Sequence, residues 1–531
     1  LTGAGFAAYG LDGDFTAAYL AARRVADLAE RDPAALCPQT VAALQALLVR
    51  NAHARQTQAR ILYRDAAGAL VALLAKGPPE LATASRQALT TALATPGKPR
   101  LATAEAVGAL PLAGLRGPEV AVPEPVAGEA TFAALLGAAG AEPGAAVRAA
   151  GRSLYAPTTR PDTVLVIKRL RKGESPLGLA RESAWMRHLQ GVQFPVPCHV
   201  PTPLACGGAP LWAVSDTPCP LPGLDARGRC LAYLARADYF AYPNAPQGEG
   251  GPDKDVFAAT MGRAALLLGW LAGRGVVHEA AIPLFHNRVQ QGRREDGGLY
   301  DWRLPGRLDR WLSSALHPNF GLSGLRDFEH FVALGDRPVR LYRQMGDHLI
   351  SLFLVAGSYF RMRDPGFVGQ GPDGAPVDAR HLFDEDLLAR VLAGVVAGYH
   401  EGFVGEAPLA PAFDPAGLAR RMVEEMGVDR HMTELLRVDD QAAMTDAAFV
   451  EFLVSRGLTA AAVAGLRRGE ADVAIATGPH LGAFNNRTSL PELGECTAAA
   501  VAACLAARHD RDRGARGGRD LTSCRSQMET R

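Results

Sequence analysis

Lys168 closes an apolar run, Val164 to Ile167, and Glu182 follows fourteen residues later. The run is aliphatic and β-branched, so it reads as a buried strand that delivers one cation at its end. The loop behind it carries Gly173, Ser175 and Pro176. Ser175 is expected to cap a helix with Pro176 at its first position. Leu179, Trp185, Met186 and Leu189 would supply the buried face of that helix. A strand lysine oriented by a helix glutamate is how protein kinases hold the phosphates of a nucleotide. The same two residues could equally be an edge-strand lysine and a solvated glutamate, so the rest of the chain has to decide.

Residues 254–275 form a strongly apolar helical stretch that stops at Gly273-Arg274-Gly275. His278-Glu279-Ala280 come next. In kinases a long apolar helix leads into the catalytic loop in this way, and an Asp in that loop accepts a hydroxyl proton. Ala280 stands in its place here, so no carboxylate remains for that step.

A nucleotide site also needs Mg²⁺, which wants carboxylate and amide oxygens near the phosphates. Asn287 with Asp301, fourteen apart, is one candidate pair; Asn319 with Asp327, eight apart, is the other. Local sequence favours the second. Leu325 and Phe328 around Asp327 have the look of a strand ending in Asp-Phe-Gly, and Gly321 and Gly324 let the backbone approach a ligand. Asn319 could otherwise be a turn residue after Pro318, and Asp327 a helix cap. His278 and Arg307 are further phosphate candidates. Each taken alone reads as structural, a buried histidine with a backbone partner and a surface arginine.

The bulk numbers narrow the classes. With 531 residues, two to four domains are expected, and 48% hydrophobic residues are ample for large cores. A net charge of +1 gives no argument for a nucleic-acid or membrane-surface partner. None of the 8 cysteines forms a CxxC pair, and the four between Cys198 and Cys230 fit no common metal spacing. Reduced thiols in a cytoplasmic protein are the expectation. No signal layout or membrane-length apolar run is read from the sequence.

In chain order, residues 1–115 read as helices, in pairs of about 40 residues that suggest HEAT-like repeats, with an ordinary bundle as the alternative. Residues 116–150 read as a Gly/Pro/Ala-rich linker. Short strands begin near residue 151, and a hairpin is expected from SLYAP and TVLVIKRL, with 158–162 as its turn. Helices are expected at 341–364, 384–403, 414–427 and 446–456, and the polar tail 509–531 is expected to be disordered.

Arg152, Lys168, Glu182, His278, Arg307, Asn319 and Asp327 together resemble, in order and spacing, the pseudokinase core of the SidJ-like family of bacterial protein glutamylases. The likeness covers residues 150–370, under half of the chain. It implies an α+β, protein-kinase-like bilobal core, with an N-lobe at 151–250 and a C-lobe at 251–404. An all-α HEAT-like domain would precede this core, and a helical extension at 405–508 would follow it.

The resemblance selects Asn319 and Asp327 as the metal pair and implies ATP and Mg²⁺ as cofactors. Lys168, held by Glu182, and Arg152 would contact phosphates, with His278 and Arg307 lining a second nucleotide pocket. A glutamate of a protein substrate would attack the α-phosphate of ATP, and free glutamate would then displace AMP. A carboxylate nucleophile is already ionised near neutrality, so Ala280 is no defect in such chemistry. The family's additional acidic metal residue would fall near His330, where Glu329 could substitute. The family's effector is switched on by calmodulin through an IQ-type helix. No such pattern occurs here, and calmodulin is not implied.

Overall fold

The structure is a computed structural model. It describes residues 13–51, 53, 59–124, 127–141, 147–150, 152–170, 175–205, 211–214, 229–244, 254–282, 315, 317–335, 337–361, 385–405, 414, 416–417, 497 and 500–508. Five helices come first: α1 (Gly13–Arg31), α2 (Pro38–Arg50), α3 (Ala59–Lys76), α4 (Pro79–Ala94) and α5 (Lys98–Gly108). In α3, Leu62, Tyr63, Ala66, Ala67 and every residue from Ala69 to Leu73 are buried. A helix that is apolar on all sides must be enclosed. Accordingly α1, α2, α4 and α5 all pack on α3. Helix α3 is the most enclosed helix of the five. The contacts α1–α3, α2–α4 and α3–α5 join each helix to the next but one, as stacked HEAT-like pairs do and as a small bundle also allows.

Of residues 116–150, expected as a linker, Ala127–Ala130, Phe132–Ala139 and Arg148–Ala150 are built into the next unit. β1 (Ala127–Ala130) pairs in parallel with β6 (Leu211–Val214). Helix α6 (Phe132–Ala139) starts at Thr131, whose hydroxyl accepts from the Ala134 amide. Its Leu135 and Leu136 pack with Leu154, Leu165 and Ile167 in a separate small core on one face of the sheet. A run of small residues looks like a linker because Ala and Gly carry little periodic signal.

The sheet has seven strands in the order β1-β6-β7-β4-β3-β2, with β5 (Thr202–Pro203) also on β7. β2 is Arg148–Ala150, β3 Ser153–Pro157, β4 Thr163–Arg169 and β7 Arg229–Arg236. The β3–β4 hairpin sets Ser153 opposite Lys168, and β4 lies between β3 and β7. Residues Val164 to Ile167 are therefore buried on both faces, as a central strand requires. Helix α7 (Leu177–Gln190) follows β4. It begins one residue later than the capping signal predicts, with the Leu177 amide 3.3 Å from the Ser175 hydroxyl.

Below the sheet lie α8 (Lys254–Ala272), α9 (Pro338–Arg361) and α10 (Glu385–Val404). A short strand β8 (Val276–His278) pairs with β11 (Phe331–Ala333), and β9 (Phe320–Gly321) pairs with β10 (Gly324–Leu325). Helix α8 is the one helix among the described residues with the length and apolarity of a membrane span. Most of its side chains are buried in the protein core. The α8–α10 crossing is very close: a Cβ added at Gly269 would lie 2.2 Å from the Tyr399 carbonyl oxygen. Gly269→Ala is expected to lower unfolding stability by about 1–3 kcal/mol through overpacking, measurable by urea titration.

The helical bundle is fastened to α9 by ions. Arg343 lies 3.3 Å from Asp65 and 3.4 Å from Glu105, and Glu105 also pairs with Arg64 at 2.6 Å. One hydrophobic core runs on from α3 through α9. The C-terminal stretch 500–508 is helical and returns to this core through Val501, Cys504 and Leu505. Arg508 of that turn donates to the Gly273 carbonyl at 2.8 Å. The remaining helices expected at 414–427 and 446–456, and the tail 509–531, lie outside the described residues, apart from Asp414, Ala416 and Gly417.

Candidate functional site

Three elements meet at Lys168. The strand β4 brings the ammonium, which is 3% exposed. Helix α7 presents Glu182, whose Oε2 lies 2.9 Å from Lys168 Nζ. The turn after β10 presents Asp327, whose Oδ1 accepts from Nζ at 2.6 Å. Glu329, on the same turn, lies 3.5 Å from Nζ. Its Oε1 accepts from Arg152 at 2.5 Å, and the imidazole of His330 is 3.3 Å from that oxygen. Lys168, Glu182, Arg152 and Asp327 thus converge on one cluster.

The turn itself is specific. Asp327 has φ 52° and ψ 56°, the left-handed region that Asp tolerates better than most residues. It stands at the start of a 3₁₀ turn, Phe328–His330, yet its side chain makes no capping bond. The carboxylate goes to Lys168 instead.

Electrostatics follow from the crowding. Two cations, Lys168 and Arg152, face three carboxylates, Glu182, Asp327 and Glu329. Burial alone would push Lys168 down, but Asp327, Glu182 and Glu329 outweigh it and hold the ammonium well above the usual lysine range. Burial also pushes Asp327 and Glu329 up. Lys168 outweighs it for both, with His330 helping, and their carboxyls sit well below the usual range. Glu182 is the exception: it is fully buried, and burial raises it to about 7 despite Lys168. Its Oε1 has no hydrogen-bond partner. The deepest of the three acids is therefore the one that takes a proton.

A carboxyl with a raised folded pKa binds more protons folded than unfolded, so stability falls as pH rises across that window. Wild-type stability is expected to decline from the ordinary carboxylate range up to about 7. Glu182→Gln is expected to remove this slope, as read by thermal unfolding at a series of values from about pH 5 to about pH 8.

Asn319 begins the β9–β10 hairpin. Its backbone carbonyl accepts from the Arg326 amide at 2.8 Å, so it sits across from the residue just before Asp327. Its Nδ2 donates to the Ala280 carbonyl at 2.7 Å, so the amide oxygen is the end with the chemistry of a metal ligand. Asp327, with 39% of its side chain exposed, offers the open carboxylate. This donor chemistry, amide and carboxylate oxygen beside a lysine, suits a hard divalent cation.

Ala280 is buried in the loop after β8, and its amide donates to His278 Nδ1 at 3.2 Å. Glu279 beside it is buried and its carboxylate is taken by Arg340.

His278, expected as a phosphate-pocket residue, sits differently. The ring is 1% exposed, and its Nε2 faces the Arg326 carbonyl at 2.8 Å. Burial lowers its pKa to about 3, so it is neutral, with Nε2–H donating. Both ring nitrogens are spent on backbone groups, and the ring braces the loop against the Asp327 turn. No nitrogen is left for a phosphate in this arrangement. Arg307, Asn287 and Asp301 lie outside the described residues.

The sequence reading gave Glu329 and His330 only a passing place, and it did not single out Arg326. The Arg326 guanidinium lies 4.9 Å from the ring centre of Phe240 and 4.7 Å from that of Tyr242. Two ionisable residues, two and three positions after Asp327, were the available signal for Glu329 and His330. Nothing local marks the stacking of Arg326.

No protein-family model matches this chain. No curated protein matches it either.

Proposed function

We propose that this protein binds ATP with a divalent cation in a protein-kinase-like core and uses it to modify a carboxylate of a protein substrate, by adenylylation followed by glutamylation. The observation that carries the reading is Lys168 held by Glu182 from a helix and by Asp327 from a hairpin turn, three elements on one ammonium. The order of strands, then α7, then strands, then a long apolar helix and a hairpin ending in Asp-Phe is in keeping with a kinase core.

In the first step a carboxylate oxygen of the target bonds to the α-phosphorus, and the bond from that phosphorus to the pyrophosphate oxygen breaks. In the second, the amine of free glutamate attacks the acyl carbon, AMP leaves with the bonding electrons, and the amine loses a proton to solvent. Ala280 offers no base, and a carboxylate nucleophile needs none. Lys168 and Arg152 would meet the charge that builds on the phosphates. Asn319 and Asp327 would hold Mg²⁺, which supplies Lewis-acid stabilisation of the same charge when bound. A divalent cation beside Asp327 would add positive charge next to Lys168 and Arg152, which suits a polyphosphate.

A nucleotide-binding scaffold without turnover is the second reading. The direct Lys168–Asp327 contact favours it, since each group already satisfies the other. Incubation with ATP, Mg²⁺ and radiolabelled glutamate, with and without cell lysate, separates the two. Label on protein that vanishes in Lys168→Ala and Asp327→Ala supports the first. Nucleotide binding without label supports the scaffold. Transfer of the γ-phosphate would overturn both in favour of a phosphotransferase.

A further inference from the structure

Helix α9 carries Arg337, Arg340 and Arg343 at steps of three along its first turns. Arg337 faces Glu30 of α1 at 3.9 Å, and Arg343 faces Asp65 of α3 and Glu105 of α5 at 3.3 and 3.4 Å. The outer two arginines thus seat α9 on the N-terminal helices. The middle one turns elsewhere: Arg340 donates to the carboxylate of Glu279, in the loop after β8. The Glu279 side chain is 7% exposed and that of Arg340 40%, so a cation reaches in from the surface to an acid that packing hides from water. That loop grips both ends of the segment that carries Asn319 and Asp327. The Glu279 amide donates to the His330 carbonyl at 3.0 Å, and the Asn319 amide donates to the Ala281 carbonyl at 2.8 Å. Asn319 Nδ2 donates to the Ala280 carbonyl at 2.7 Å, and His278 Nε2 meets the Arg326 carbonyl at 2.8 Å. Residues 278–281 therefore fix Asn319 and the Asp327 turn relative to each other. His348 of α9 lies 3.2 Å from the His278 amide nitrogen, so this helix holds the loop at two successive residues.

We infer that Arg340 is a positioning residue: through Glu279 it holds the 278–281 loop and so sets Asn319 against Asp327, while the N-terminal helices hold α9 in place. What this does for a nucleotide rests on the reading proposed above; the hold on the loop does not. A buried carboxylate that loses its counter-ion has to turn toward water. Turning Glu279 outward draws its backbone along, which pulls on the bond from its amide to His330 and on the bond from Asn319 to the neighbouring Ala280. Groups that orient metal ligands without touching the ion change cation affinity by about 10–100-fold when removed. The N-terminal helices thereby contribute to the site as the support on which α9 is laid.

The test is hydrogen–deuterium exchange on the full chain without nucleotide, read in the peptides 276–282 and 319–330 with α8 as reference. Arg340→Ala keeps a good helix former at an exposed helix position, so the variant is expected to fold. It is expected to lose protection at the amides of Glu279, Asn319, Arg326 and His330, each bonded within this loop and segment, while α8 keeps its own. Arg340→Lys restores a cation and is expected to regain most of that protection. Glu279→Ala combined with Arg340→Ala should lose no more than Arg340→Ala alone, since it also removes the stranded carboxylate. Equilibrium dialysis of ATP with MgCl₂ gives the second readout. Arg340→Ala is expected to bind about tenfold more weakly than wild type, and Arg340→Lys to recover. Unchanged exchange in the two peptides, an equal loss across α8, no recovery with lysine, or a further loss in the double variant overturns the inference. Wild-type ATP affinity in Arg340→Ala would sink this inference alone. Exchange in the expected pattern with no ATP bound by wild type would sink the nucleotide reading and leave the positioning role of Arg340 standing.

Discussion

Lys168→Met is expected to remove ATP-dependent labelling of protein and to destabilise the fold at the same time. For turnover, the loss of one preorganised donor to a developing oxyanion costs about 10²–10³ in rate. For stability, the ammonium is buried and faces Glu182, Asp327 and Glu329 at 2.9, 2.6 and 3.5 Å. Taking away one partner of a buried ion pair costs about 3–5 kcal/mol, because the remaining charge has no counter-ion. Met fills a similar volume, so little of the loss would be cavity. Lys168 has a folded pKa raised above its ordinary value, so its contribution is complete below the ordinary lysine range. It is lost only as pH rises through the raised value. At neutral pH the full destabilisation should therefore appear. Urea unfolding reads the stability term, and labelling under conditions where the variant is folded reads the catalytic one. A variant as stable as wild type would mean that the carboxylates find other partners or take up protons without cost.

What could be read from the sequence was whatever repeats locally. Val164 to Ile167 announced a buried strand, and the helix of Glu182 announced itself by its apolar spacing. The spacing from Lys168 to Glu182 needs only a strand, a loop and a helix to bring the two together, and they meet at 2.9 Å. Asp327 is 159 residues from Lys168, yet it was legible as the residue that ends a glycine-flanked hairpin before a phenylalanine. Arg152 to Glu329, separated by 177 residues, was not legible as a pair. No periodicity links two charges across that distance.

His278 shows a different limit. Its residue type allowed a phosphate ligand, and only packing revealed that β8 and β11 enclose it. The mutual packing of the five N-terminal helices was not legible for a similar reason. Alanine-rich helices give an equally good helical signal whether they stack in pairs or surround one member.

Asp327→Asn is expected to separate what Lys168→Met joins. Asn tolerates the left-handed backbone at φ 52°, so the turn should persist, whereas Ala would add strain. The side chain is 39% exposed, and water already screens its bond to Lys168. A partly exposed pair contributes about 1 kcal/mol or less. Removing this carboxylate also leaves two acids, Glu182 and Glu329, against two cations, which lessens the crowding. Stability near neutral pH should therefore change little. Asp327 has a depressed pKa, so its contribution is present above the ordinary carboxylate range and is lost as pH falls through the depressed value. The variant should be correspondingly less sensitive to strong acid. Nucleotide chemistry should respond in the opposite way. An amide oxygen binds a divalent cation far more weakly than a carboxylate, and labelling is expected to fall by about 10²–10³. Cation titration and labelling on one folded variant thus test the role of Asp327 without the fold as a confounder. Full labelling by Asp327→Asn would move the cation away from the β10 turn, and the pair Asn287 and Asp301 would then be the next to substitute.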